Sequence, residues 1–553
     1  MPTAIRGQKY MKQAEQIIKE FESMKLVRNR FDFTWQEIAQ RIDPGQATFV
    51  TKILNMPNLE QQKFDSTAAR ALPKFASIMK SIICPRTRSW AKFCTTDPDL
   101  TFYFQDYFDE VTAIISKYRY TNKSGFDSAV DTMFTGAGMF GQMPFFVDDR
   151  PEGIYYRTFP MSEVWAKTNA YGEKDTFIRK FRLNKRQAEE LFGDKCPAKI
   201  KASKDCDMQY EFLHYVCPNE KFDVNKEDNL SMKYSSYYLC ADTCEIITVG
   251  GYHTMPYCMA RVEVFPTEKV YGYGPAMKCL ADQKTLNAAM RITMRSAELS
   301  ADPEMLVRED AVVNLNQLGA AGSVIHGGLD EQGRPSAATM QRNMDLRAME
   351  VLRQELKQNI ADGFCINLLE ILINDPSAKT ATEVMVKKQE QAILLAPMAT
   401  RIYQEWAAVC CMREFDIHDR AGRLPQMPED LAAELVRSKS KLTIEFESPL
   451  DEAQKSEEAI KLNRYLENIA AYAQVFPDML NVINPTKTAQ IIAKSIGVPA
   501  KALYSEEELK TVEQQKIEAQ QAQQMLSAMP TIAKSANDLA KANVEAQSGI
   551  KLI

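Results

Sequence analysis

Apolar residues recur every three or four positions through the first part of the chain, the spacing of amphipathic helices. "QKYMKQAEQIIKEFESMKL" (8–26) predicts one long helix and "FTWQEIAQRIDP" (33–44) a short one. "FDSTAARALPKFASIMKSIICP" (64–85) predicts a third, ending near Pro85, since proline cannot continue the hydrogen-bond ladder. The first 135 residues are therefore expected to be helical. From 138 to 270 the pattern shortens into aromatic and β-branched runs separated by turn residues. "GIYYRTFPMSEVWAKTNAYGEKDTFIRKFRL" and "YEFLHYVCP" are examples, and they predict strands, paired antiparallel.

Helical periodicity returns at 271. Gly274 precedes Pro275, a favourable start because proline at the first helical position gives up no needed donor. Leu286, Ala289, Met290, Thr293 and Ala297 then share one face, and Pro303 ends the helix. A glycine-rich excursion follows, with short strands expected around Val307, Val312 and Val324. A second helix is expected over 343–373, about 45 Å long at 1.5 Å per residue; Met344, Leu346, Val351, Leu352, Leu356 and Ile360 are among its apolar positions. "NDPSAKT" interrupts it, and Thr380-Ala-Thr-Glu383 is a capping box. That box opens a third long helix, expected to kink at Pro397. "KLTIEFESPL" predicts a strand leading into a helical C-terminal part. The last forty residues, rich in Gln, Ala, Lys and Glu, read as a helix held by partners or a frayed tail.

One string interrupts this picture. Gly136-Ala137-Gly138-Met139-Phe140-Gly141 spells G-x-G-x-x-G, the dinucleotide fingerprint, which works only after a strand and before a helix. Here the order is reversed. Phe126, Ala129, Val130, Met133 and Phe134 precede it at helical spacing, and "MPFFV" follows it as a short strand. The glycines are expected to end a helix and start a strand.

Composition narrows the classes. Hydrophobic residues at 45% and charged residues at 25% are ordinary for globular chains, so general disorder is excluded. A net charge of −5 argues against a broad basic face gripping nucleic acid. The N-terminal stretch lacks an apolar signal-peptide core, and "CINLLEILIN", the longest apolar run, is broken by Glu370. A soluble chain made in a cytosol is expected, with no membrane partner. Twelve cysteines in 553 residues fit buried thiols in a reducing compartment better than a disulfide framework. Cys240 and Cys244, with Cys258 or His253, could begin a metal site, but a second closely spaced ligand pair is missing. No metal and no cofactor are expected.

Catalytic motifs are absent. The chain holds no G-x-x-x-x-G-K-[ST], no G-x-S-x-G and no H-E-x-x-H. His326-Gly327-Gly328 has the look of an oxyanion-hole string, but without a nucleophile elbow it reads as a turn. No catalytic residue is assigned.

The order of helix, compact excursion, helix, loop and long kinked helix resembles a phage portal protein, and particular stretches sharpen the likeness. "FDSTAARALPKFASIMKSIICPRTRSW" (64–90) resembles the Asp-Ser-Thr helix, Pro and Trp signature of the head-to-tail connectors of short-tailed, podovirus-type phages. "VYGYGPAMKCLADQKTLNAAMR" (270–291) is similar to their entry into the stem helix. "TATEVMVKKQEQAILLAPMATRIYQEW" (380–406) is similar to their Thr-Ala-Thr-Glu-Val helix. "SPLDEAQKSEEAIKLNRYLENIA" and "KSIGVPAKAL" resemble their C-terminal helical part.

The resemblance implies an α+β, mostly helical portal-type architecture assembled as a ring. A wing would span 1–270, the first stem helix 271–302, the clip 303–342 and the second stem helix 343–373. A channel loop would follow at 374–380, a kinked backbone helix returning to the wing at 381–440, a strand and helical region at 441–511, and a crown or tail at 512–553. It implies a homo-oligomer of twelve copies at one capsid vertex of the virion, made in the host bacterial cytoplasm. Double-stranded DNA would pass its channel, and the partners would be terminase large subunit, tail adaptor, and major capsid and scaffolding proteins. On the channel loop, Asn374, Asp375, Ser377 and Lys379 become the expected DNA neighbours. In the clip, Arg308, Glu309, Asp310, Asp330, Glu331 and Arg334 become the expected partner surface. Another virion structural role, as an internal core or adaptor component without a DNA channel, fits the composition as well.

Overall fold

The computed structural model describes residues 2–50, 63–86, 89–223, 228, 230–301, 305–307, 324, 329, 332–335, 337–339, 346–367, 394–446 and scattered positions between 462 and 492. It divides into two compact units, Met1–Ala453 and Gln454–Ile553. The described positions of the second unit are helical.

The first unit opens with one continuous helix, α1 (Pro2–Ile42), where two were expected. The joining stretch 27–32 holds no Gly or Pro to break it. Arg28, inside that stretch, donates from Nη1 to the carbonyls of Met161 (3.0 Å) and Val164 (2.7 Å) and lies over the Trp165 ring. After α2 (Thr67–Ile83) comes a strand, β1 (Ala91–Thr95), which corrects the all-helical expectation for this part. The helices α3 (Gln105–Arg119) and α4 (Phe126–Phe140) follow.

The strand region is as the pattern predicts. β2 (Phe145–Arg150) pairs antiparallel with β3 (Gly153–Thr158). Next come β4 (Val164–Thr168), β5 (Lys174–Leu183), the helix α5 (Lys185–Phe192), β6 (Tyr210–Pro218), β7 (Tyr234–Cys240) and β8 (Glu245–Tyr252). These five strands form an antiparallel meander in sequence order. Adjacent side chains point to opposite faces of a strand, and both faces are covered. Ile17, Phe21 and Met24 of α1 pack with Trp165, Ile178 and Leu213, while Ala188 and Phe192 of α5 pack with Phe181 and Phe212. The short β9 (Tyr257–Cys258) returns to β2.

Two helices with a small strand pair between them come next: α6 (Leu280–Ala301), β10 (Met305–Val307), β11 (Ala337–Thr339) and α7 (Leu346–Gly363). β10 and β11 pair antiparallel, Met305 opposite Thr339. Val307 is in a strand as expected, and Val324 is exposed outside any strand. The α7 helix is followed by a turn over Phe364 and Cys365, where Cys365 takes a positive φ of 54°, and by helical Ile366 and Asn367; the expected end at 373 lies outside the described residues.

The chain then runs through a helical stretch at 394–402, a π turn (Tyr403–Ala407), α8 (Ala408–Arg420), α9 (Glu429–Ser438) and β12 (Leu442–Phe446). Pro397 lies in the stretch before the π turn. β12 pairs antiparallel with β1, Phe446 opposite Ala91, so the end of this unit is stitched to its beginning. The core records the same closure. Trp90 stacks on Trp406 (centroids 6.0 Å apart) and on Phe446 (6.4 Å). Beside them Arg119 of α3 forks onto Glu414 of α8 at 3.0 and 2.5 Å, and the Tyr156 hydroxyl donates to the same carboxylate.

Candidate functional site

The pair α6–α7 is rooted where two glycine strings meet. Gly141 caps α4 in the left-handed region, φ 78°. A β-carbon there would fall 2.5 Å from the Tyr273 carbonyl carbon and 2.7 Å from that of Gly272. Gly274 faces it from the other strand of the crossing: its β-carbon would fall 2.6 Å from the Gly141 nitrogen. The two backbones are hydrogen-bonded through their surroundings. The Val262 amide donates to the Gly141 carbonyl at 2.8 Å, and Glu263 and Tyr273 exchange amide–carbonyl bonds. The G-x-G-x-x-G string is thus a backbone crossing. Gly136 and Gly138 lie within α4, where Met143 and Leu72 fill the space a β-carbon would need.

From this crossing Pro275 starts the turn Pro275–Lys278 that leads into α6. The start is held by α7 as well: Cys279 Sγ sits where a β-carbon on Gly363 would be, and it approaches the Ile360 carbonyl at 3.8 Å. Burial then fades along both helices. In α6, Gln283, Leu286 and Ala289 are buried, whereas Ile292 is 53% exposed. In α7 the order is reversed, with Val351 65% exposed and Leu356 and Ile360 buried. The helices therefore run antiparallel, and their far ends carry apolar side chains in solvent, together with Leu306 of β10.

A charged clamp braces the root. The π turn aims Glu405 at Lys174 (3.0 Å) and at Arg261, whose guanidinium approaches to 2.6 Å and whose backbone amide also donates. Arg401 donates to the Val262 carbonyl at 2.7 Å, next to the Gly141 contact. Burial pulls Lys174 down to about 8 against the opposing pull of Glu405. π turns recur at functional positions in helices, and here one carboxylate holds a cation of β5 and another of the segment after β9.

The expected site residues are distributed unevenly. Asn374, Asp375, Ser377 and Lys379 lie outside the described residues, as do Arg308, Glu309, Asp310, Asp330, Glu331 and His326. Arg334 is exposed, beside the bridge between Leu329 and Pro335 that precedes β11. Cys240 is buried at the end of β7, Cys244 is exposed in the following turn, and Cys258 lies in the other sheet. Among the described residues no group of three potential ligands gathers for a metal, and no helix is long and apolar enough to cross a membrane. Reading by sequence missed the meeting of the glycine strings. The available signal was that both ask for close backbone approach, but they lie some 130 positions apart.

The family described as "Bacteriophage head to tail connecting protein" matches residues 14–503. The chain is 24% identical over 555 residues to "Portal protein" of Salmonella phage epsilon15, covering 98% of this chain and 97% of that one. It is 22% identical to "Probable portal protein" of Bordetella phage BPP-1, covering 97% and 96%. Among solved structures it is similar to a chain in the neck of an empty gene transfer agent particle, at 11% identity and a TM-score of 0.38 over 81% of this chain and 95% of that one.

Proposed function

The chain belongs to the bacteriophage head-to-tail connecting protein family, and from that premise we propose that this virion protein closes as a twelve-copy ring at one capsid vertex and forms the channel for DNA entry and exit. The observation that carries the proposal is the helix pair α6–α7, welded at its root and bearing exposed apolar residues toward its tip. Apolar faces left in solvent by one copy suit burial against a different face of the next, the heterologous contact that closes a cyclic ring. In this reading residues 271–302 and 343–373 are the stem, 303–342 the clip, 374–380 the channel loop and 1–270 the wing. Residues 381–440 are the backbone helix that returns to the wing, 441–511 the C-terminal region and 512–553 the crown.

The ring supplies a passage and a docking platform; packaging force comes from the terminase ATPase, consistent with a sequence that carries no P-loop. Capsid and scaffolding proteins contact the wing, and terminase and then the tail adaptor contact the clip through Arg308, Glu309, Asp310, Asp330, Glu331 and Arg334. Asn374, Asp375, Ser377 and Lys379 face the DNA. A net charge of −5 per chain suits a duct: each phosphate neutralised adds about 0.9 to the magnitude of the salt slope, and a tight polycation ring would stall a sliding duplex. Light scattering with negative-stain images tests the assembly. Twelve times 62.7 kDa is about 752 kDa for a closed cyclic ring, with an axial hole. A monodisperse monomer or dimer across a range of salt would remove the ring and the channel together.

A further inference from the structure

The outer edges of three strands are closed by the chain itself. On β1 the Phe93 and Thr95 amides donate to the Thr112 and Thr101 hydroxyls at 3.2 and 3.0 Å. On β3 the Tyr156 amide donates to the Ser124 carbonyl at 2.8 Å, and on β4 the Val164 carbonyl accepts from Arg28 at 2.7 Å. β8, which ends the five-stranded sheet, is different. Beyond its ladder with β7, no hydrogen bond reaches its main chain among the described residues. Such an edge is a template for another strand, and proteins blunt it with lysine, proline or charge. β8 has no Lys and no Pro, and its one charge, Glu245, stands at its start. A register slip leaves Ile247 unpaired, and Thr248–Tyr252 then pair regularly with Tyr238–Tyr234. Within that run Gly250 and Gly251 take no positive φ, and a β-carbon at Gly250 would meet nothing within 4 Å. Glycine weakens a strand interior and marks where another backbone approaches closely. Nothing in the described chain makes that approach.

A second edge has the same character. β12 has one strand partner, β1. In an antiparallel ladder two opposed residues either both bond across the pair or both turn away from it. Phe93 and Thr95 turn away to hydroxyls, so their partners Ile444 and Leu442 turn away on the far side of β12. No hydrogen bond reaches those two from that side among the described residues, and β12 is partly exposed along its whole length. We propose that β8 of one copy pairs with the outer side of β12 of the next, joining the five-stranded sheet of one chain to the β1–β12 pair of its neighbour. This rests on the ring reading and names edges that close the ring. The lengths agree, with five regular ladder positions on β8 and five residues in β12. Two different edges meet, so the contact repeats around a cycle and leaves neither edge spare. Main-chain bonds supply the affinity of strand addition. An edge this poorly blunted needs a partner present wherever the chain accumulates, and a second copy meets that condition.

Hydrogen exchange read by mass spectrometry tests the pairing, comparing the assembled full-length chain with the lone chain obtained by dilution, each defined by light scattering. Amides of 246–252 and of 442–446 should both exchange about tenfold or more slower in the assembly. Amides of β6, held between two strands in either state, should not change. Gly250→Lys has open space in a single copy, so it should leave the unfolding midpoint of the lone chain unchanged and abolish assembly. Val436→Lys, at an 81% exposed position on α9, should leave both intact. An assembly that forms with both segments exchanging as in the lone chain overturns the pairing and leaves the ring standing, as does a ring closed by the Gly250→Lys chain. Absence of any assembly removes ring and pairing together. Slowing of 246–252 in whole virions alone gives the edge to another virion protein and overturns the pairing with β12.

Discussion

Replacing Gly141 by alanine probes the crossing between the end of α4 and the root of the α6–α7 pair, and the structure separates the two costs involved. The first is backbone: φ at Gly141 is 78°, and an L-residue held left-handed costs about 1–2 kcal/mol. The second is crowding. The new β-carbon would lie 2.5 and 2.7 Å from main-chain carbonyl carbons of Tyr273 and Gly272, atoms that cannot rotate away, and overpacking of this kind costs about 1–3 kcal/mol. Gly141→Ala is therefore expected to lose about 2–5 kcal/mol. Gly172, with φ 85° and open space around it, isolates the first cost; Gly274, with φ −109° and the Gly141 nitrogen 2.6 Å from its would-be β-carbon, isolates the second. All four tryptophans, 35, 90, 165 and 406, are buried in the first unit, so urea unfolding followed by fluorescence reports the right part of the chain. The shift in midpoint at constant slope measures the loss. The double variant Gly141→Ala with Gly274→Ala should cost less than the sum, because both force open the same gap. If Gly141→Ala proves no worse than Gly172→Ala, the crossing is looser than described and the reasoning fails.

Three further outcomes are expected, two from the same packing and one from the proposed clip surface. Glu414→Ala strands the buried Arg119 and should destabilise by about 3–5 kcal/mol, whereas Arg119→Met with Glu414→Leu should cost less than that single change; a double variant worse than the single one would contradict the pairing. Burial depresses His418 from 6.5 to about 4, and neither ring nitrogen has a partner among the described residues. A depressed histidine contributes stability that is whole above pH 6.5 and is lost as pH falls toward 4, up to about 3 kcal/mol. His418→Phe keeps the contact with Tyr118 and should flatten that part of the pH–stability curve, so an unchanged curve would clear His418. Reversing the charges of Arg308 and Arg334 together should leave ring mass unchanged and weaken binding of terminase or adaptor in a pull-down; full binding by the intact variant ring would take both residues off the partner surface.

How much of this was legible beforehand depended on the range of the interaction. Helical spacing and the Gly274–Pro275 start located α6 to within a few residues, and alternation with turn residues located the strands of the meander, because both patterns are set by neighbours a few positions apart. The reversed order around Gly136–Gly141 was enough to dismiss a nucleotide site. The family, too, was readable, since its signatures are local strings in a set order.

The remainder is written in contacts between distant segments. β1 is five residues without strong alternation, and it is a strand because β12, some 350 positions later, offers it a ladder. The joint in α1 is pinned by Arg28, which donates to the carbonyls of Met161 and Val164, and α7 needs a glycine at 363 because Cys279 occupies the place a β-carbon would take. Gly141 and Gly274 each advertise a close approach, but each is silent about what approaches. A sequence records what each residue can tolerate from its surroundings; tertiary structure decides which surroundings arrive, since burial and close packing depend on pairs the chain itself keeps far apart.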